Sequence, residues 1–392
     1  MAIKKKQHYV PKAYMKHFTK DDKKFAIVNI RNNSVIEGVP YADQCYENYY
    51  YGTDLTWEDR LGELETSWGT VLSKVRNEET LSKEEITLLK QFAVYQRQRT
   101  LAEGNYRKEE KISELKELAR LYCVHKNIEY DNQQEEKFTK IAKDGVDPIE
   151  ILKIALDAEE LIEDLELKII CYKTTNKLVS SDVPVILINR FEEHAIGYSC
   201  MGLILFFPVG NDKMVVIYDR GMYAGIGMEE EQYIFAYDEN EVVHLNIMQY
   251  ISAEKVIYAQ DKEDLLFINE DVKTEREKNR SQDPVQKLGT DNHEMLIYSN
   301  RRVIHECDLS FARLGHAVRK IPYPCREAVP RIYENGWQKK LHQKEEIFPA
   351  IMKQIPGIKE DMNMTIKDAK RGCKQMTRFA EIYWQTNRTF EY

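Results

Sequence analysis

Apolar positions at intervals of three and four mark the first long helix of this chain. In "DLTWEDRLGELETSWGTVLSKV", Leu61, Leu64, Trp68, Val71 and Val75 repeat at that interval, which places them on one face of a half-buried helix. Ser82 and Glu85 of "LSKEE" then have capping-box spacing. They open a helix predicted to run past Arg107 and on toward Val124, and another helix is expected after Pro148. Upstream, Pro11 suits the first turn of a short helix ending near Phe18. "KKFAIVNIRNNSVIEG" alternates like a hairpin that turns at Asn32 and Asn33.

At Leu165 the period shortens to two. "LELKIICYKT", "LVSSDVPVILIN", "LILFFPVG" and "MVVIYD" are rich in Ile, Val, Phe and Tyr and are separated by Asn, Asp, Gly and Ser, so they read as strands of a mostly antiparallel sheet. "ENEVVHLNIMQYISAEKVIYA" returns to helix. Residues 261–294 read as a helix ending in a linker around "SQDPVQKLGTDN", and the last region holds a strand-like "MLIYSN", a Pro-rich passage at 321–330 and a terminal helix. The pattern predicts an α+β fold: a helical N-terminal part, a central mostly antiparallel β-sheet and an α/β C-terminal region. The expected divisions are a mainly helical domain at 1–162, a β-rich domain at 163–262, a helical linker at 263–294 and a C-terminal region at 295–392.

Composition narrows the class. Apolar runs such as "GLILFFPV" fall far short of the roughly 20 residues of a membrane span, and "MAIKKKQHYV" carries no apolar segment of a secretory signal, so a cytoplasmic protein without membrane contact is expected. Seven cysteines without a CxxC pair read as reduced thiols rather than a disulfide framework. A net charge of −8 argues against a dedicated polyanion binder. The average conceals a split, because the chain from Arg319 onward is basic while the preceding part is strongly acidic. The terminal helix pairs an apolar seam (Ile366, Ala369, Cys373, Met376, Ala380, Tyr383) with Lys367, Arg371, Lys374 and Arg378 on the other side. Those four cations are either a solvated face or a nucleic-acid-binding one, with Tyr383, Trp384 and Phe390 at hand to stack bases.

Polar residues interrupt two of the apolar stripes. Leu89, Phe92, Gln96 and Arg99 share one helix face, and Leu61, Glu65, Trp68, Leu72 and Val75 share another. A buried arginine needs an anionic partner, since an unpaired charge in low dielectric costs several kcal/mol. Glu65 is the first candidate and Glu47 of "YENYYYG" the second. His8, in "QHYVPKAYMKHF", brings an imidazole to the start of the chain.

Seven segments in order, "QHYVPKAYMKHF", "YENYYYG", "LETSWGTVLSKV", "FAVYQRQRT", "SSDVPVILIN", "LFFPVGNDKMVVIYD" and "HLNIMQYISAEKVIYA", resemble the landmarks of a bacterial family known as domain of unknown function 4238, over about residues 5–262. Val183 stands where that family usually shows asparagine. The resemblance implies a bacterial or phage-related cytosolic protein and brings no reaction with it. The residues it marks are His8, Glu47, Glu65, Gln96, Arg99 and Asp182: a group for general acid or base work, carboxylates that could hold a proton or a divalent metal such as magnesium, and a guanidinium able to grip phosphate. Two expectations follow. One is an effector of bacterial conflict or phage defence that cleaves or binds nucleic acid or nucleotide phosphate through this cluster. The other is a non-enzymatic sensor or scaffold whose cluster is structural and whose partner is another protein or a second copy of the chain.

Other motifs carry less. Arg120 and His125 have the Arg-x4-His spacing of some metal-independent RNases, and Glu166-x-Lys168 could be half of a restriction-type nuclease motif, but its upstream acids fall in helix. "GMYAGIG" lacks the lysine and hydroxyl of a phosphate loop. His305, His316 and His342 lie near Cys307 and Cys325, but none pair at metal-ligand spacing on one element, so they read as core or surface residues.

Overall fold

The computed structural model describes residues 5–319 apart from 22, 54–55, 127–128, 134, 137–147, 194–195, 225–230, 281–284, 289–294 and 299–302. Strand β1 (Lys6–His8) leads into a short helix α1 (Lys12–Met15), and a hairpin of β2 (Lys24–Asn29) and β3 (Ser34–Pro40) follows. That hairpin turns where expected. Asn33 takes a positive φ of 53°, a conformation asparagine tolerates better than most side chains. Strand β4 (Tyr46–Asn48) returns to pair with β1 in antiparallel register, His8 opposite Tyr46 and Gln7 opposite Glu47.

Helices α2 (Thr56–Arg76) and α3 (Lys83–Gln98) come next, and the Ser82–Glu85 capping box is present. The helix predicted to continue past Arg107 breaks instead at Arg99 and Thr100, and α4 (Leu101–Lys126) starts afresh. The cause is local: the Thr100 hydroxyl accepts the Glu103 amide at 3.2 Å and so starts a new helix. Helix α5 (Pro148–Leu161) then leads into the sheet-rich part.

Strands β5 (Glu166–Tyr172), β7 (Ile186–Asn189), β8 (Leu203–Pro208), β9 (Lys213–Tyr218) and β10 (Tyr233–Ala236) form a sheet of order β10-β5-β9-β8-β7, antiparallel except for the β10–β5 pair. A second sheet, β3-β2-β11-β6, combines the N-terminal hairpin with β6 (Ser180–Ser181) and β11 (Val256–Ala259). Here one expectation is corrected. The stretch "ENEVVHLNIMQYISAEKVIYA" is helix only through α6 (Glu239–Ser252), and "VIYA" is β11, a fully buried strand whose β-branched and aromatic residues fit between β2 and β6. After helix α7 (Glu270–Arg280), part of the expected linker is also a strand, β12 (Val285–Leu288), paired with β13 (Met295–Tyr298). A last short helix, α8 (His316–Arg319), closes the described chain. The Pro-rich passage, the terminal helix with Lys367, Arg371, Lys374 and Arg378, and His342 and Cys325 lie outside the described residues. The fold is α+β.

The layers explain why every face of β8 and β9 is apolar. One face of the five-stranded sheet (Leu205, Phe207, Val215, Ile217) packs on α2, α3 and α5 together with Tyr9, Val10 and Tyr14. The other (Ile204, Phe206, Met214, Val216) packs on Val242, Leu245 and Met248 of α6. The opposite side of α6 (Ile247, Tyr250, Ile251) meets the four-stranded sheet through Ala26, Val28 and Ile257. Helix α6 is therefore enclosed by two sheets. Residues on either side of position 162 share the first of these cores, and β2 pairs directly with β11.

Candidate functional site

The N-terminal strand is anchored by side chains that imitate backbone. The amide of Gln7, fully buried, accepts the Tyr51 N–H at 2.6 Å and donates to the Gly52 carbonyl at 3.0 Å. Gly52 has a φ of 88° and Tyr49 one of 56°, so the "YENYYYG" turn curls back on itself through left-handed conformations. Arg99, at 1 % exposure, points into the loop so formed. Its Nη2 donates to the His8 carbonyl at 2.5 Å and to Glu65 Oε1 at 2.6 Å, and its Nε donates to the Tyr51 hydroxyl at 3.1 Å. Gln96, one turn earlier, donates to the Tyr9 carbonyl at 3.0 Å. The third guanidinium nitrogen, Nη1, and Oε1 of Gln96 are buried without a hydrogen-bond partner.

His8 faces inward as well. Its Nε2 donates to the Ala42 carbonyl at 3.1 Å, and the ring tilts against Tyr46. Burial, with the nearby charges of Lys12 and Arg99, pushes it down to about 4. The ring is thus neutral at physiological pH, in contrast to the group titrating near neutrality that its residue type suggests.

Glu47 does not reach Arg99. It forms an ion pair with the Lys255 ammonium instead, because β4 turns its side chain toward the α6–β11 connection. Asp182 sits on the other side of that connection, fully buried, and accepts the backbone amides of Glu254 and Lys255, each at 2.8 Å. Burial pushes its carboxyl up to about 6 against the pull of those amides. The rest of "SSDVP" is bound by α6. The Ser181 hydroxyl donates to Gln249 Oε1 at 2.9 Å, Gln249 Nε2 donates to the Pro184 carbonyl at 2.8 Å, and Ser252 donates to the Val183 carbonyl at 3.2 Å.

Of the six predicted site residues, the fold brings His8, Glu65, Gln96 and Arg99 into one cluster, with Glu47 and Asp182 beside it on either side of Lys255. Glu65 is engaged by Arg99, Glu47 by Lys255 and Asp182 by two backbone amides, so each carboxylate is held by a different partner within the chain. A cavity of about 260 Å³ adjoins the cluster, lined by Tyr9, Asn29, Asp43, Cys45, Tyr46 and Lys255 among others, and by none of the six. Sequence reasoning passed over Gln7 and Tyr51, which complete the cluster. It also passed over the polar residues of α6, whose burial among apolar neighbours was the available signal.

Residues of two of the weaker motifs are held by neighbours in the fold. Arg120 pairs with Glu117 on its own helix at 2.5 Å. Lys168, on β5, is buried and donates to the Glu231 carbonyl at 2.9 Å, with Glu166 at 3.3 Å.

An α+β chain whose two sheets enclose a helix, and whose first residues are fastened by a buried arginine, is the class that fold and cluster define. The chain belongs to the family described as "Protein of unknown function (DUF4238)", which it matches over residues 6–263. No curated protein and no solved structure matches it. Among the described residues, no helix is long and apolar enough to cross a membrane.

Proposed function

We propose that the QHYVP cluster is a structural latch, and that the protein acts through contacts with a partner, as a non-enzymatic sensor or scaffold, rather than by chemistry at this cluster. One observation carries the latch: His8, Glu65, Gln96, Arg99 and Asp182 each direct polar groups to partners inside the chain, and five of those partners are backbone groups of the segments being joined. Phosphodiester cleavage would require Arg99 to meet a phosphate and His8 to shuttle a proton. Arg99 is sealed from solvent, and the His8 ring is neutral with Nε2 committed to a carbonyl.

The test is His8→Ala beside the wild type, in thermal unfolding and in incubation with single- and double-stranded RNA and DNA, with magnesium and with EDTA. The latch predicts no cleavage by either protein and a loss of about 1–3 kcal/mol of stability in the variant, as for removal of one member of a buried network. Cleavage by the wild type that disappears in an equally stable variant would restore the nuclease reading.

A further inference from the structure

A second polar cluster lies away from the latch, on the far flank of α6. Among the described residues, His244 of α6 and His305 and Cys307 of the segment 303–309 bring their donor atoms within 4.8 Å of one another. His244 Nδ1 and His305 Nε2 face each other at 2.9 Å, with the rings tilted by 50°. The other nitrogen of His305, Nδ1, lies 2.6 Å from Glu275 Oε1 on α7. The Cys307 sulfur is a free thiol with the Arg190 guanidinium 3.4 Å away.

Each of these contacts has a consequence for metal binding. A carboxylate on Nδ1 holds the hydrogen there and presents the Nε2 lone pair to the cluster, the arrangement that orients histidine ligands in metal centres. Burial pushes the Cys307 thiol up against the pull of the neighbouring guanidinium, so its proton leaves when a cation takes the sulfur as ligand. With metal–nitrogen distances of about 2.0–2.1 Å and metal–sulfur of about 2.3 Å, a tetrahedral centre sets two imidazole nitrogens roughly 3.3 Å apart and nitrogen and sulfur roughly 3.5 Å apart. The facing nitrogens at 2.9 Å therefore need to separate by only about 0.4 Å. The His305 side chain is 7 % exposed and Glu275 33 %, so the cluster is half-sheltered and still open to solvent.

We propose that His244, His305 and Cys307 bind one zinc-type divalent cation, with Glu275 as a positioning residue acting through His305. Two imidazoles and a thiolate suit zinc and disfavour magnesium and calcium, which take oxygen donors. Three protein ligands leave a fourth position for water or a further ligand, the donor count of an exchangeable centre rather than a closed structural one. His305 and Glu275 also line a cavity of about 550 Å³, together with Asp271, Lys278, Asn279 and Glu306. Uptake of the ion releases the Cys307 thiol proton and moves the hydrogen of His244 from Nδ1 to Nε2, so affinity falls in acid. The bound ion ties the segment 303–309 to α6, which is the helix enclosed by both sheets.

The experiment is zinc titration of the untagged, metal-stripped full chain under a non-chelating reductant, against a chromophoric chelator. It is run on wild type, His244→Asn, His305→Ala, Cys307→Ser, Glu275→Gln and the control Cys200→Ser, each checked for folding by circular dichroism. Cobalt(II) replaces zinc in a parallel set. The expected result is one equivalent of tightly bound zinc in the wild type and in Cys200→Ser, with a thiolate-to-cobalt charge-transfer band. Affinity should fall at least about 100-fold in a folded ligand variant, and about 10- to 100-fold in Glu275→Gln. The charge-transfer band should be lost in Cys307→Ser. Wild type that takes up no zinc overturns the proposal, and so does uptake unchanged in the folded Cys307→Ser and His244→Asn proteins.

Discussion

At the scale of single residues, the latch turns on what happens to a charge and a ring removed from water. The guanidinium of Arg99 is held by a carbonyl, a hydroxyl and a carboxylate, and of these only Glu65 supplies the opposite charge, with 26 % of its side chain exposed. His8 makes a different prediction, in pH. Its folded value of about 4 lies below the ordinary 6.5, so the unfolded chain binds the extra proton between those values. Its contribution is fully present above about 6.5 and is lost as pH falls through about 4. Against His8→Gln, whose amide can still donate to the Ala42 carbonyl, the wild-type advantage in melting temperature should narrow steadily from pH 6.5 to 4. An advantage that is flat with pH contradicts the buried neutral ring. Asp182 works in the opposite sense, its raised carboxyl favouring the fold below its ordinary value and losing that benefit as pH rises through about 6, so wild-type curves alone do not separate the two. The cluster was partly legible before the fold was known, because Glu65, Gln96 and Arg99 break apolar stripes. The role of Glu47 was not, since its orientation depends on Lys255, 208 residues away.

At the scale of elements, periodicity identified α2 and α3 because each buries one face. It overran at Arg99, although Thr100 and Glu103 carry the Thr-x-x-Glu spacing of a helix start. That break matters to the latch. An uninterrupted helix would carry Arg99 in mid-turn, whereas the residue sits at the end of α3 with its N–H still bonded to the Tyr95 carbonyl. Thr100→Ala should cost about 1 kcal/mol in urea unfolding through loss of the α4 cap, and Thr100→Ser should recover most of it. Equal stability of all three proteins would remove the cap from the account. Helix α6 ran into β11 in the sequence reading because a helix packed between two sheets buries apolar residues on opposite sides and shows no clear polar face to end. Its interior position Asn246 binds the backbone of Lys177 and Val179, and Gln249 binds Ser181 and Pro184 of the "SSDVP" segment that follows.

At the scale of the whole molecule, the segments shared with the family lie at joints between distant parts of the chain. QHYVP meets YENYYYG and the end of α3, and SSDVP meets the end of α6 and the start of β11. The four-stranded sheet itself joins two strands from the first 40 residues to two strands beyond position 179, through the β2–β11 pair. A fragment of residues 1–162 is accordingly predicted to remain unfolded when made alone, lacking the β11 partner of β2 and the sheet face under α2 and α3. An independently folded fragment, seen as a cooperative melting transition, would show that the shared core is dispensable. Such long-range pairing is what spacing along a sequence reveals least, and the approach of His305 to His244 across 61 residues has the same character.

The most direct measurement of the central claim is a double-mutant cycle in urea on Arg99→Met, Glu65→Leu and the pair. The latch predicts that either single change costs about 3–5 kcal/mol, Arg99→Met by stripping the His8 carbonyl and Glu65 of their donor and Glu65→Leu by leaving a buried guanidinium uncompensated. The double variant should then lie well above the sum of the two losses in stability, with a coupling of at least about 1 kcal/mol. Additive losses, or single variants as stable as the wild type, would contradict it and show that Arg99 does not hold the N-terminal strand in place.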